Sequence, residues 1–171
     1  MNEVNSIALD RAKATSLAQL LAFTGIIIIA PFFHMQMLTG PVINAVLFIV
    51  TALLGVRAGI FAGLVPSVIA LSIGTLPAPL APMIPYIMLG NMILVFTFHF
   101  LKERNYWLGV VTASFLKFLF LFASSSVVVG LLAKSELAVK VAYMMSWPQL
   151  LTALAGGVIA RVFLNFYQGR K

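Results

Sequence analysis

Six long apolar runs, separated by short polar or proline-rich segments, leave this chain few ways to fold. They lie at residues 17–33, 41–56, 58–76, 83–101, 107–133 and 143–166. A helix needs about 20 mainly apolar residues to cross the hydrocarbon core of a membrane, so each run is a candidate span. The second run is the shortest, and as a helix it would be only about 24 Å long.

Composition supports the same conclusion. Hydrophobic residues make up 62% of the chain and charged residues only 9%, whereas about a quarter of the residues in a soluble domain are charged. We therefore predict an all-α integral membrane protein, in which residues 1–171 form a single domain of six transmembrane helices within a lipid bilayer.

The basic residues predict how the bundle is oriented in the membrane. Eight of them fall where they would share one side: Arg11, Lys13, Arg57, Lys102, Arg104, Arg161, Arg170 and Lys171. Lys134 and Lys140 would lie on the other side. Because cytoplasmic segments carry an excess of lysine and arginine, we expect both termini in the cytoplasm.

Nucleic acid is not an expected partner, since no basic cluster with interleaved aromatic residues lies outside the runs.

Lys117 is the clearest candidate for a functional residue. It lies about 15 Å along the fifth run, near the middle of the membrane, where an ammonium group costs roughly 2.5–3.5 kcal/mol. Ser114 and Ser124 share its helical face, which predicts a polar face directed into the bundle. No acidic residue occurs inside any run, so the cation favours an anionic or strongly dipolar ligand over a proton relay or cation channel. The alternative is a lysine satisfied by helix-end carbonyls or water, without a ligand.

Four more residues in the spans are candidate ligand contacts. Asn91 lies in the middle of the fourth run and Asn44 near the outer end of the second. Either contacts a ligand or only forms hydrogen bonds between helices. Trp147 and Gln149 open the sixth run, where Trp147 is also a candidate for the aromatic belt at the outer interface.

The first run and the segment before it have two different ends. Ala14, Ala18 and Ala22 recur every four residues, so they form a flat strip on one helical face. In a bilayer such strips of small side chains allow another helix to approach closely, and we predict that this strip docks a partner. The opposite end leads to a polar cluster at His34 and Gln36.

Several absences exclude most enzymes. The sequence contains no cysteine, no phosphate-binding G-x-x-x-x-G-K-[ST] loop, no H-E-x-x-H motif and no G-x-S-x-G elbow. It also lacks paired carboxylates for acid–base chemistry, and its two histidines, His34 and His99, make a weak metal site at best. We expect no catalytic residue, no cofactor and no metal site, and any ATP-driven transport would need another subunit.

The small size, the six spans, the cytoplasmic termini and the alanine strip resemble the substrate-binding S components of energy-coupling-factor (ECF) transporters. The segments GPVINA at 40–45 and PMIPYIMLGN at 82–91 also resemble members of that family. The resemblance implies a bacterial plasma-membrane subunit that captures a vitamin, a vitamin precursor or a metal ion from outside. It further implies docking through the alanine strip on a transmembrane T component that two ATPases drive.

The resemblance also implies where the substrate binds. Pockets in the family draw on the outer loops and the later spans, which here indicates His34, Gln36, Asn91, Lys117 and Gln149. Nickel and cobalt members use an N-terminal histidine, and none precedes position 34, which disfavours a metal substrate. Lys117 in its apolar setting leads us to expect an anionic, partly apolar vitamin-like substrate.

Two other functions are compatible with the same sequence. One is a free-standing secondary transporter or channel, which the lack of intramembrane acids and of an inverted repeat disfavours. The other is a membrane assembly or interaction protein without a small-molecule ligand, in which the polar face around Lys117 only fixes helix packing.

Overall fold

The computed structural model describes residues 3–33, 35–72, 74, 78–131 and 136–169. Over these ranges the chain forms seven α-helices and two short 3₁₀ segments, Ala30–Phe33 and Ala78–Met83. The helices are α1 (Glu3–Ile29), α2 (Gln36–Leu54), α3 (Val56–Ser72), α4 (Ile84–Leu101), α5 (Tyr106–Leu131), α6 (Glu136–Met144) and α7 (Trp147–Gln168).

The all-helical prediction is confirmed for the described ranges, which contain no strand. Five segments are long and apolar enough to cross a membrane: Lys13–Phe33, Gln36–Leu54, Ala81–Leu101, Tyr106–Gly130 and Val141–Gln168. The third predicted span forms a shorter helix whose apolar part is Val56–Ile69. The protein is therefore a membrane-embedded helical bundle, whose described part contains five long apolar helices and one shorter one.

The second predicted span is longer than its apolar run indicated. It begins at Gln36 rather than at residue 41, and its 19 residues span about 28 Å. Pro41 is the sixth residue of this helix, so the helix loses the bond that an N–H at this position would donate to the Met37 carbonyl, yet it continues past the proline. The amide groups of Leu38 and Thr39 donate to the Met35 carbonyl and close the first turn.

The sixth predicted span contains a break near its N-terminal end. The helix α6 ends at Met144, and α7 begins at Trp147. Pro148 lies in the first turn of α7, where proline is well tolerated, whereas in a continuous helix it could not donate to the Met144 carbonyl and would break the helix. A single hydrophobic run therefore gives two helices, with Met145 and Ser146 between them.

The helix α2 lies at the centre of the bundle and packs most extensively against α7, with α1, α3 and α4 on its other sides. Eight successive residues, from Asn44 to Thr51, are buried, as expected for a helix that is surrounded by others. The rings of Phe48 and Phe98 meet edge to face, 4.8 Å apart, and join α2 to α4. The second large packing surface lies between α4 and α5.

Small residues set the distance between α2 and α7. A Cβ atom added at Gly156 would lie 2.7 Å from the Asn44 Cβ and 2.8 Å from the Ala45 backbone nitrogen. One added at Gly40 would lie 2.7 Å from the Thr152 Cβ. Such glycines let membrane helices approach closely, and here they hold Asn44 against the α7 backbone.

We predict that Gly156→Ala destabilises the bundle by about 1–3 kcal/mol, the usual range for overpacking, because backbone atoms of α2 must move. Gly130→Ala is the matched control: Gly130 lies in α5, and an added Cβ has no neighbour within 4 Å. Alanine is the better helix former by about 1 kcal/mol, so the control should unfold at the same or a higher temperature. Thermal unfolding in detergent tests this, and equal midpoints for the two variants would contradict it.

Candidate functional site

A cavity of about 200 Å³ opens among α2, α3, α4, α5 and the junction of α6 with α7. One face of α2 supplies five of its lining residues at helical spacing: Gln36, Thr39, Gly40, Ile43 and Asn44. The remaining lining residues are Pro31, Met35, Pro66, Ser67, Ile87, Asn91, Lys117, Met144, Met145 and Gln149. Its walls are thus mainly apolar, with polar groups at a few positions.

The ammonium group of Lys117 is held in place by two amide oxygens. The side chain is 4% exposed, and its Nζ donates to Asn44 Oδ1 and Asn91 Oδ1, both at 2.7 Å. An ammonium has three N–H donors, and the third has no partner within the described part of the chain. These two hydrogen bonds connect α5 to α2 and α4.

Asn91 is fixed from both sides. Its Nδ2 donates to the Gly63 carbonyl of α3 at 2.8 Å, while its Oδ1 accepts from Lys117. Because a lysine only donates and a carbonyl only accepts, the orientation of this amide is determined by its partners. Gly63 allows the approach of α3 to α4, since a Cβ there would lie 3.1 Å from the Asn91 Cβ.

Two glutamines meet at another part of the cavity. The Nε2 atoms of Gln36 and Gln149 donate to the Met144 carbonyl, at 2.7 and 3.1 Å respectively. The last carbonyls of a helix have no partner inside that helix, so the end of α6 offers this acceptor. The two glutamines thereby tie the first turns of α2 and α7 to the end of α6.

The structure brings five of the predicted substrate contacts to this one cavity: Gln36, Asn44, Asn91, Lys117 and Gln149. The two predicted serines lie elsewhere on α5. Ser114 is fully buried and its Oγ has no hydrogen-bond partner among the described residues, whereas Ser124 Oγ donates to the Phe120 carbonyl. Both serines are buried on the face of α5 that carries Lys117, but Ser114 lies about 60° around the helix from it and Ser124 about 10 Å along the helix, so neither lines the cavity.

Trp147 does not line the cavity either. Its side chain is 49% exposed and packs edge to face against Tyr143, with ring centroids 5.9 Å apart. This placement fits the aromatic-belt alternative. His34 lies outside the residues that the structure describes.

Sequence reasoning missed several lining residues. Ser67 is 6% exposed and follows Pro66 inside the third apolar run, and that isolated hydroxyl beside a proline was an available signal. Met35, Met144 and Met145 had no such signal, because methionine is common in any apolar packing. Met35 lies at the start of α2, and Met144 and Met145 reach the cavity because the chain turns between α6 and α7.

The lining chemistry suits an anion with an apolar body. A lysine and four carboxamides converge on the cavity, and none of the lining residues is acidic. The four acidic residues of the chain, Glu3, Asp10, Glu103 and Glu136, all fall outside the apolar runs. Lys117 therefore has neutral acceptors and no counter-ion around it.

Within the described ranges no group of three or more histidine, cysteine, aspartate or glutamate side chains could hold a metal ion.

The predicted docking strip lies far along α1 from the cavity. Ala14, Ala18 and Ala22 are all exposed on the surface of the bundle, beside the exposed side chains of Leu17 and Leu21. The strip is thus not used for packing within this chain.

Comparison with models of known protein families, with curated proteins and with solved structures finds no match to this chain.

We predict that Asn91→Leu destabilises the folded bundle by about 1.5–3 kcal/mol, since Lys117 loses a charge-assisted acceptor and the Gly63 carbonyl loses its donor. In a Lys117→Met background the same substitution should destabilise clearly less, because the ammonium is then absent. A double-mutant cycle of thermal unfolding in detergent measures the difference. Equal losses in the two backgrounds would show that Lys117 and Asn91 are not coupled.

Proposed function

We propose that this protein is the substrate-binding S component of an ECF-type importer in a bacterial plasma membrane. It captures a small anionic, partly apolar vitamin or vitamin precursor from outside the cell. The observation that carries the proposal is Lys117, an ammonium buried at the wall of a cavity that has no acidic lining residue.

The energetics favour a ligand for this lysine. Its two partners are neutral amide oxygens, which solvate the ammonium but do not neutralise it. An ionised ligand group would pair with the remaining N–H, and charge-assisted hydrogen bonds of this kind are roughly twice as strong as neutral ones. Placing the lysine in the membrane costs the empty protein roughly 2.5–3.5 kcal/mol. Pairing with an anionic ligand would offset part of this cost and so strengthen binding.

The exposed alanine strip of α1 supports a role as one subunit of a larger transporter. The exposed alanine strip at 14, 18 and 22 fits close packing against a helix of another protein. Since the sequence has no phosphate-binding loop for ATP, energy for uptake would come from a T component and its two ATPases. The basic residues at the proposed inner ends of the spans orient the bundle with both termini in the cytoplasm.

One observation favours a second candidate, an assembly or interaction protein without a small-molecule ligand. The two hydrogen bonds of Lys117 already join α5 to α2 and α4, so the same lysine could fix helix packing alone. The two functions differ in whether the cavity retains a ligand.

We expect the chain, purified alone in mild detergent, to release a near-stoichiometric anionic metabolite on denaturation, identified by mass spectrometry. Lys117→Met should fold but release none, whereas Lys102→Met, which removes a charge at the end of α4 outside the cavity, should retain it. Release of nothing by the unmodified chain, even after growth in rich medium, would refute the proposal and favour the interaction protein.

We also expect Ala18→Trp to block uptake in cells that contain the whole transporter while leaving ligand retention unchanged. A tryptophan at this exposed position keeps the partner helix at a distance. Ala123→Trp, on an exposed part of α5, is the matched control and should transport normally. Normal uptake by Ala18→Trp would remove the docking role from the strip.

A further inference from the structure

The carboxamides around the cavity are oriented in opposite ways near Lys117 and near Met144. Lys117 takes the oxygens of Asn44 and Asn91, so the groups left to face a ligand there are donors. They are the third N–H of Lys117 and the Nδ2 of Asn44, which has no partner among the described residues. The Ser67 hydroxyl, 94% buried and also without a described partner, adds another possible donor.

Near Met144 the two glutamine carboxamides have the opposite orientation to the asparagine carboxamides near Lys117. Since the Met144 carbonyl can only accept, Gln36 and Gln149 must both turn their Nε2 groups toward it. Their Oε1 atoms then remain as acceptors, and neither has a partner in the ranges that the structure describes. The Nε2 of Gln36 also keeps a second N–H, whereas the Nε2 of Gln149 makes a further, weak bond to the Met145 sulfur at 3.9 Å.

The two groups of side chains lie at different heights along α2. Asn44 and Gln36 are eight residues apart on this helix, which corresponds to a rise of about 12 Å. The cavity is also lined by apolar side chains, among them Ile43, Ile87 and Met145. At about 200 Å³ the cavity is below the usual 300–1,000 Å³ of drug-sized sites, so its ligand is small.

We propose that the cavity selects a ligand with two different ends, a carboxylate at Lys117 and an uncharged amide at Gln36 and Gln149, joined by a short apolar body. A single ammonium without a second cation matches a monoanion. An amide offers an N–H to a glutamine oxygen and a carbonyl to a glutamine N–H, so it complements the pair at Met144. This assignment rests on the proposed function and narrows its substrate class.

The test compares three probes of equal chain length on the purified full chain, washed free of endogenous small molecules. The first is the monoamide of heptanedioic acid, which carries a carboxylate and an amide. The second is its N,N-dimethyl derivative, which keeps both carbonyl groups but has no N–H. The third is heptanediamide, which has no carboxylate. Equilibrium binding is measured by calorimetry up to millimolar concentration.

We expect the monoamide to bind about tenfold more tightly than the dimethyl derivative and ten- to a hundredfold more tightly than the diamide, the losses typical of a neutral and a charge-assisted hydrogen bond. Gln36→Met and Gln149→Met should each reduce the preference for the monoamide over the dimethyl derivative. Gln19→Met is the matched control, because Gln19 bonds to Tyr167 on another part of the bundle, and it should keep both preferences.

The comparison on the unmodified chain decides the proposal whether or not the variants fold. Equal affinity for the monoamide and its dimethyl derivative would overturn the amide end and leave the proposed function intact. Equal affinity for the monoamide and the diamide would remove the anion from Lys117 and undermine both proposals. Binding of none of the three probes would overturn the two-ended ligand, while release of an endogenous anion would still support the proposed function.

Discussion

A buried ammonium must be hydrogen-bonded where it lies, since hydrocarbon supplies no solvent to replace water. In this bundle Lys117 of α5 reaches an oxygen on α2 and another on α4, and the second amide is held in turn by the backbone of α3. Four helices are thus joined by three hydrogen bonds around one charge. Their relative positions have to be compatible with those bonds, which is why the lysine constrains the packing well beyond its own contacts.

The central position of α2 depends on residues that have little side chain. Gly156 lets the α7 backbone approach Asn44, and Gly63 lets α3 approach Asn91. Without these approaches the two amides could not converge on one nitrogen. Small residues and a polar cluster are often treated as separate devices of membrane proteins, but here the first positions the second.

Much of the architecture was predictable because the hydrophobic pattern of a membrane helix is strong. The runs around α4 and α5 gave helix bounds close to those observed, since charged or proline-containing segments end them sharply. The pattern fails where polarity changes without a loss of helix, as at Gln36, and where a loop is itself apolar, as at Met145. In both places backbone geometry and proline position decide the bounds, and hydropathy does not register them.

The site divides in a similar way. Lys117 and the two asparagines were predictable because a polar group deep in a hydrophobic run must face other protein groups. Ser114 and Ser124 were included by the same argument, yet Ser114 lies about 60° around the helix from Lys117 and Ser124 about 10 Å along it. Both are buried without reaching the cavity. A face predicted from periodicity is broader than a binding site.

Lys117 has two of its three N–H groups bonded to the protein, which is the state that a membrane receptor for an anion requires. With no protein partners, the lysine would oppose insertion of the empty bundle, since hydrocarbon leaves its charge unsolvated. With three strong partners, including a carboxylate, it would have nothing left for a ligand, because an internal ion pair competes with an external one. Two neutral oxygens stabilise the ammonium enough for the helices to assemble around it. They leave its charge uncompensated and one N–H available, so the same arrangement is compatible both with folding in the absence of a ligand and with the proposed binding of an anion.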